Sequence, residues 1–369
     1  MSFEVYIHIP FCVRKCGYCD FLSGPADRET MERYTDALIR EIRALEGGQV
    51  RSVYIGGGTP TLLEDRELYR ILDELHKHFS FTPGAEISIE ANPGTLSWEK
   101  LSALKAAGAN RLSIGLQSAD EEELRLLGRI HTYEDFRQSL STARACGFDN
   151  ISTDLMFALP GQKLSVWQKT LRTVASLGLE HISAYGLTIE EGTPFAARHY
   201  ALPGEDEWYG MYEAAHEILS ENGYLPYEIS NFSLPGRQCR HNEGYWTRVD
   251  YLGAGLGAAS LWKGRRFTNT RDMARYLEYS SSPDRIREGT EVLSREDEMS
   301  ETMFLGLRLT RGVEEAAFRM TFGVSMEQVY GEALKTHLEL GTLEKKDGYV
   351  RLTKKGIPVS NAVMSDFVL

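Results

Sequence analysis

Cysteine is scarce, with five among 369 residues, so a disulfide framework is not expected in a chain of this size. No run approaches the roughly 20 apolar residues that cross a bilayer. The opening MSFEVYIHIPF lacks the basic start and long apolar core of a secretory leader. Positive charge is in deficit: 41 Lys and Arg against 53 Asp and Glu give a net charge of −12. Such a surface disfavours phosphate backbones, so nucleic acid is not an expected partner, and Lys263, Arg265 and Arg266 read as a solvated turn. Internal repeats and low-complexity segments are also missing. The remaining composition, 42% hydrophobic and 25% charged, is that of an ordinary globular protein long enough for one large domain and a smaller one.

Three of the few cysteines sit together. Cys12, Cys16 and Cys19 form C-x3-C-x2-C in YIHIPFCVRKCGYCDF. Thiolates hold iron–sulfur clusters. Three of them leave one corner iron of a [4Fe–4S] cluster open, which is the arrangement needed to bind the amino and carboxylate groups of S-adenosylmethionine (SAM). Structural zinc is the alternative, but it takes four ligands, usually in paired C-x2-C units, and here only His8 stands nearby. An oxygen-sensitive cluster points to the reducing cytoplasm, with membrane contact only peripheral, through partners. Cys146 and Cys239 read as packing residues.

The first 225 residues alternate β-rich runs with amphipathic helices. Strands are expected at 5–9, 53–55, 86–91, 111–116, 151–159 and 181–188, and helices near 30–46, 67–79, 97–107, 121–127 and 133–146 and after the last two strands. Six β–α units with apolar strands predict an α/β fold, a partial (β/α)6 TIM-like barrel whose site lies at the strand ends. Residues 226–285 read as an irregular, β-rich connecting region, with a helix near 271–280. Residues 286–369 read as a mainly helical, winged-helix-like domain: helices at 295–309, 313–322 and 326–340, a hairpin over 343–353 turning at Asp347-Gly348, and a last helix from about Lys355.

Polar groups gather at the expected strand ends. Gly56-Gly57-Gly58-Thr59-Pro60 follows the second strand and reads either as a backbone platform for a ligand or as a plain turn. Glu90 ends the third strand, Gln117 the fourth, and Asp154 lies in the fifth. Any one of them is explained as a cap or turn residue, but ends of successive parallel strands converge on one pocket. Arg129 is either a carboxylate clamp or a surface arginine.

Together, YIHIPFC-x3-C-x2-CDF, GGGTP, EANPGTL, RLSIGLQS, LGRIHT and DLMFALPGQ resemble the oxygen-independent coproporphyrinogen oxidase branch of the radical SAM superfamily, over about the first 200 residues. The resemblance implies that Cys12, Cys16 and Cys19 bind the cluster and that Tyr6, Gly57, Gly58, Thr59, Glu90, Gln117, Arg129 and Asp154 line the SAM site. Within the branch, the oxidases carry a further cysteine where this chain has Phe21, and an extension ahead of the first strand, which here begins within a few residues of Met1. His241-Asn242-Glu243-Gly244-Tyr245-Trp246 matches the HNxxYW motif of the branch's haem chaperones. That likeness implies haem as cargo with His241 as its ligand, client haemoproteins such as respiratory enzymes as partners, and a homodimer. Pro235-Gly236 suggests a loop that leaves His241 reachable; a hydrogen-bonded structural histidine is the alternative reading. The rival activities are oxidative decarboxylation of coproporphyrinogen III and radical SAM chemistry on another tetrapyrrole.

Overall fold

The computed structural model describes residues 2–369. Six parallel strands form its centre: β1 (Phe3–Ile9), β2 (Gln49–Gly57), β3 (Ser80–Ala91), β4 (Arg111–Gln117), β5 (Ile151–Phe157) and β6 (His181–Gly186), paired in chain order. β1, β4 and β5 are buried almost along their whole length, as expected for parallel strands covered on both faces. Helices Arg28–Ala44, Asp65–His78, Trp98–Ala106, Tyr133–Ala145 and Leu164–Ala175 supply the outer cover. Their starts are written locally: Asp27, Ser97 and Thr132 each cap the following helix through the side chain.

Both edges of this partial barrel are extended. Beside β6 lie the antiparallel β8 (Asn231–Ser233) and then β7 (Leu225–Pro226). Beside β1 runs β9 (Tyr251–Ala254), parallel to it, followed by antiparallel β10 (Ala259–Trp262), β11 (Arg265–Asn269) and β12 (Arg287–Val292). The stretch read as irregular and β-rich therefore supplies strands that extend the main sheet. Leu252, Leu256, Phe267 and Tyr276 pack in the same core as β1 and β2. The HNxxYW motif, expected in a loop, forms a short helix, Arg240–Trp246.

A second core gathers Met303, Leu307, Phe318, Tyr330, Leu334, Val350 and Phe367 from helices Arg295–Gly306, Glu315–Phe322 and Met326–Leu340 and a small sheet. In that sheet β13 (Val313–Glu314) pairs with β15 (Tyr349–Leu352), which pairs with β14 (Leu343–Lys346). The β14–β15 hairpin turns at Asp347 and Gly348, with φ +53° and +81°, the left-handed pair that a two-residue primed turn demands. The expected last helix begins later than Lys355: a 3-10 turn covers Ile357–Val359, and the helix is Ser360–Ser365. Among the described residues, no helix is long and apolar enough to cross a membrane.

Candidate functional site

The loop after β1 carries the three cysteines. Its two ends are tied together where Cys12 N–H donates to Gly24 O at 2.9 Å, and its middle is held where Phe195 N–H donates to Gly17 O at 3.0 Å. Arg14 reaches Gly128 O at 2.7 Å, anchoring the middle of the loop to the end of helix Glu121–Leu127. All three thiols are free, half-buried, and line one cavity.

Gly57, Gly58, Thr59, Glu90, Gln117, Arg129 and Asp154 line the same cavity. The glycines are dictated by protein neighbours. A Cβ on Gly58 would stand 2.5 Å from Phe11 O, and one on Gly57, whose φ is +110°, would stand 2.5 Å from the His8 ring. Close packing lets Gly58 N–H donate to Ile9 O at 2.8 Å and Thr59 N–H to Phe11 O at 2.7 Å, pinning the glycine loop to the cysteine loop. Gly57 N–H and the Tyr54 hydroxyl each donate to Glu90, at 3.0 and 2.9 Å. Burial still raises the Glu90 carboxyl to about 7, with the nearby Asp154 charge adding to the rise. Asp154 is raised too, mainly by burial.

Arg129 arrives through a helix end. Gly128 takes the left-handed conformation at φ +75°, and Arg129 N–H returns to Leu124 O at 2.9 Å, turning the arginine inward. Its guanidinium bonds Asn92 Oδ1 at 2.5 Å, Gly115 O at 2.8 Å and the Cys16 sulfur at 3.5 Å, while its buried Nε has no partner. Arg129 faces the cavity, not the surface. Gln117 has φ +75°, a strained conformation for a non-glycine, where the β4–β5 register shifts.

Tyr6 is not among the residues lining the cavity. Its hydroxyl donates to His8 Nδ1 at 2.9 Å, because His8 Nε2 donates to Leu22 O at 2.8 Å. Both His8 nitrogens are thus engaged, which removes the fourth ligand that zinc would need. Asn92 was missed in the sequence. It bridges the site, donating to Thr59 Oγ1 at 2.6 Å and accepting from Arg129. Its only signal was a polar residue directly after the third strand.

His241 lies elsewhere. It is 1% exposed, stacked on Tyr54 with ring centroids 5.3 Å apart. Its Nδ1 is 2.9 Å from the Ser52 hydroxyl and its Nε2 2.9 Å from the Tyr245 hydroxyl. Burial, then the charges of Arg111 and Arg51, lower its pKa to about 3. The expectation of a reachable histidine is corrected: the motif forms a helix against the sheet, so both ring nitrogens are occupied. Beside it, Glu4 is fully buried on β1 with neither carboxyl oxygen hydrogen-bonded, and Arg51 Nε stands 3.2 Å away.

A three-thiol wall facing two carboxyls and one guanidinium suits a cluster together with a small zwitterionic ligand. The Radical SAM superfamily description matches residues 6–174, and the HemN C-terminal domain description matches residues 293–359. Membership of that superfamily implies a [4Fe–4S] cluster and SAM. Heme chaperone HemW of Lactococcus lactis subsp. lactis is 36% identical over 99% of this chain and 97% of that protein. HemW of Bacillus subtilis is 36% identical over 99% of each chain, and HemW of Escherichia coli is 33% identical over 99% of this chain and 98% of that protein. Among solved structures, coproporphyrinogen III oxidase (HemN) from Escherichia coli, a radical SAM enzyme, aligns with a TM-score of 0.87 at 25% identity, over all of this chain and 90% of that one. On this end-to-end likeness, the chain belongs to the heme chaperone HemW family of the radical SAM superfamily.

Proposed function

We propose that this protein is a haem chaperone, which takes up haem and passes it to client haemoproteins such as respiratory enzymes. The observation that carries the reading is the full-length likeness to heme chaperone HemW relatives, 36% identical over 99% of the chain. In this reading Cys12, Cys16 and Cys19 hold the cluster. Gly57, Gly58, Thr59, Glu90, Gln117, Arg129 and Asp154 hold SAM, with Tyr6 supporting the wall behind them through His8. The bound cluster supplies an electron and an open iron for SAM. Glu90, protonated or not near neutral pH, can accept or donate at a ligand hydroxyl. Arg129 holds its charge toward Cys16 and is braced by Asn92, so it can meet a ligand carboxylate without moving far.

The likeness to the HemN structure favours coproporphyrinogen oxidation as a second reading. Against it, Phe21 stands where the oxidases of the branch carry a further cysteine, and its ring is 62% exposed beside the cavity. Ligation of haem by His241 requires the Arg240–Trp246 helix to swing off the sheet and break the bonds to Ser52 and Tyr245.

The test is anaerobic haem titration of the cluster-reconstituted protein, alongside turnover with coproporphyrinogen III. Saturable binding near one haem per chain without turnover is expected. Turnover to protoporphyrinogen without saturable haem binding would establish the oxidase instead.

A further inference from the structure

Strand β2 joins two parts of the molecule. Side chains alternate between the faces of a strand, so Ser52, Tyr54 and Gly56 share one face. The run from Ser52 to Gly57 covers about 16 Å. At its start, the Ser52 hydroxyl lies 2.9 Å from His241 Nδ1, on the HNxxYW helix. At its end, Gly57 N–H donates at 3.0 Å to Glu90, on the wall of the cysteine cavity.

Tyr54 touches both. Its hydroxyl donates to Glu90 Oε1 at 2.9 Å, while its ring lies against the His241 ring, with centroids 5.3 Å and planes 25° apart. Tyr6, its register partner on β1, flanks the same ring at 6.5 Å. The fit to Glu90 is close: a Cβ on Gly56 would stand 2.8 Å from Glu90 Cδ and 2.9 Å from the Tyr54 ring. A shift of Glu90 thus displaces the Tyr54 hydroxyl, and a tilt of Tyr54 disturbs the face on which His241 rests.

The helix is poised to respond. Arg240–Trp246 has seven residues, too few to be held by its own hydrogen bonds. Seated, it leaves Trp246 Nε1 without a partner and lies against Glu4, neither of whose carboxyl oxygens is hydrogen-bonded. Gly244 passes too close to that carboxyl to carry a Cβ. Unpaired buried groups cost stability. The helix therefore depends the more on the contacts that remain, those of His241 with Ser52 and Tyr54 among them.

We propose that Tyr54 is a positioning residue that couples the cysteine cavity to the HNxxYW helix: it holds Glu90 for the hydroxyls of a ligand, and a ligand that fixes Glu90 fixes Tyr54 and so tightens the helix. The inference rests on the reading of the cavity as the SAM site. Coupled sites affect each other equally. Loss of the His241 ring, outside the cavity, therefore weakens SAM.

The experiment is calorimetric SAM titration of the anaerobically cluster-reconstituted full chain, with hydrogen–deuterium exchange of residues 240–246 followed with and without SAM. The wild type, Tyr54→Phe and His241→Ala are compared at matched iron content. Tyr54→Phe keeps the ring on His241 and removes the hydroxyl from Glu90. SAM affinity is expected to weaken about tenfold in Tyr54→Phe, as for one hydrogen bond to a buried carboxylate, and about fivefold in His241→Ala. SAM should slow exchange in the helix of the wild type but not of Tyr54→Phe. A merely structural Tyr54 would shift the melting temperature and move neither readout. If the wild type binds SAM, but both variants bind it equally well and SAM leaves the exchange unchanged, the coupling is wrong and the SAM site stands. If the cluster-loaded wild type binds no SAM, the reading of the cavity falls and the coupling with it. Should His241→Ala not fold, as judged by circular dichroism, the exchange contrast between the wild type and Tyr54→Phe decides alone.

Discussion

A methyl group decides much at Gly58. The nearest atom to an added Cβ is a backbone oxygen at 2.5 Å, which cannot rotate away. Gly58→Ala should therefore part the glycine loop from the cysteine loop, costing about 1–3 kcal/mol as overpacking does, and lowering the iron retained after reconstitution. Gly94, with φ +82° but open space around its Cβ position, is the control. Gly94→Ala should cost only the backbone term, roughly 1 kcal/mol, and leave iron content unchanged. Equal melting shifts with equal iron retention would sink the argument. Glu4 offers a second single-atom test. Burial raises its carboxyl to about 8 from 4.5, with Arg51 only partly countering. Below about pH 4.5 the folded and unfolded chains both carry this proton. As pH rises toward about 8, the unfolded chain releases it first, so stability falls across that window. Glu41 and Glu90, each raised to about 7, act in the same direction. Glu4→Gln is neutral throughout, so its unfolding free energy from urea titration should fall less between about pH 5 and pH 8, by a difference on the order of a few kcal/mol. Parallel pH profiles for variant and wild type would refute the assignment.

Helix Arg295–Gly306 is clamped to the main sheet chiefly by Glu301, with Glu298 3.6 Å from Arg248 as a weaker second contact. Glu301, 4% exposed, receives Arg248 Nε at 2.9 Å and Arg266 Nη1 at 2.6 Å, from the approach to β9 and from β11. Glutamine has one acceptor oxygen and no charge, so Glu301→Gln weakens both pairs and leaves Arg266, which unlike Arg248 pairs with no second acid among the described residues, the more exposed to the loss, at a cost of about 1–3 kcal/mol. Limited proteolysis should then cut sooner ahead of residue 295, while Glu296→Gln, on the exposed first turn of the same helix, changes nothing. Identical cleavage rates for the two variants would show that the clamp is idle. Elements of this kind were only partly legible in the sequence. The six central strands were, because burial on both faces writes continuous apolar runs. The β14–β15 turn was also legible, because Asp-Gly is a local signal. Strand β12, REGTEV, was not: it is an edge strand with nearly every side chain exposed, so it carries no alternation and exists only because β11 offers it a ladder. The Arg240–Trp246 helix hid for a related reason, since seven residues are too few to show a period and its place is set by packing against β2.

Across the whole molecule, the cysteine cavity and the HNxxYW helix lie at opposite ends of β2, and no residue of the helix lines the cavity. The first was readable from spacing and from polar residues at strand ends, because parallel strands converge by topology alone. The place of the second was not, because His241 meets Ser52 and Tyr54 only when the chain beyond the barrel folds back onto β2. Sites without common residues should respond independently, apart from what passes through Tyr54 to Glu90. Replacing Cys12, Cys16 and Cys19 together by Ser should therefore abolish iron and acid-labile sulfide, yet leave haem affinity within about twofold of the wild type, as additivity predicts for distant positions. The cysteine loop is held at Gly128 and Phe195 through its backbone and Arg14, so losing the sulfurs, with their contacts to Thr59 and Arg129, need not release it. A haem affinity that collapses with the cluster, in a protein whose melting temperature is unchanged, would mean that haem binding and the cluster cavity are coupled.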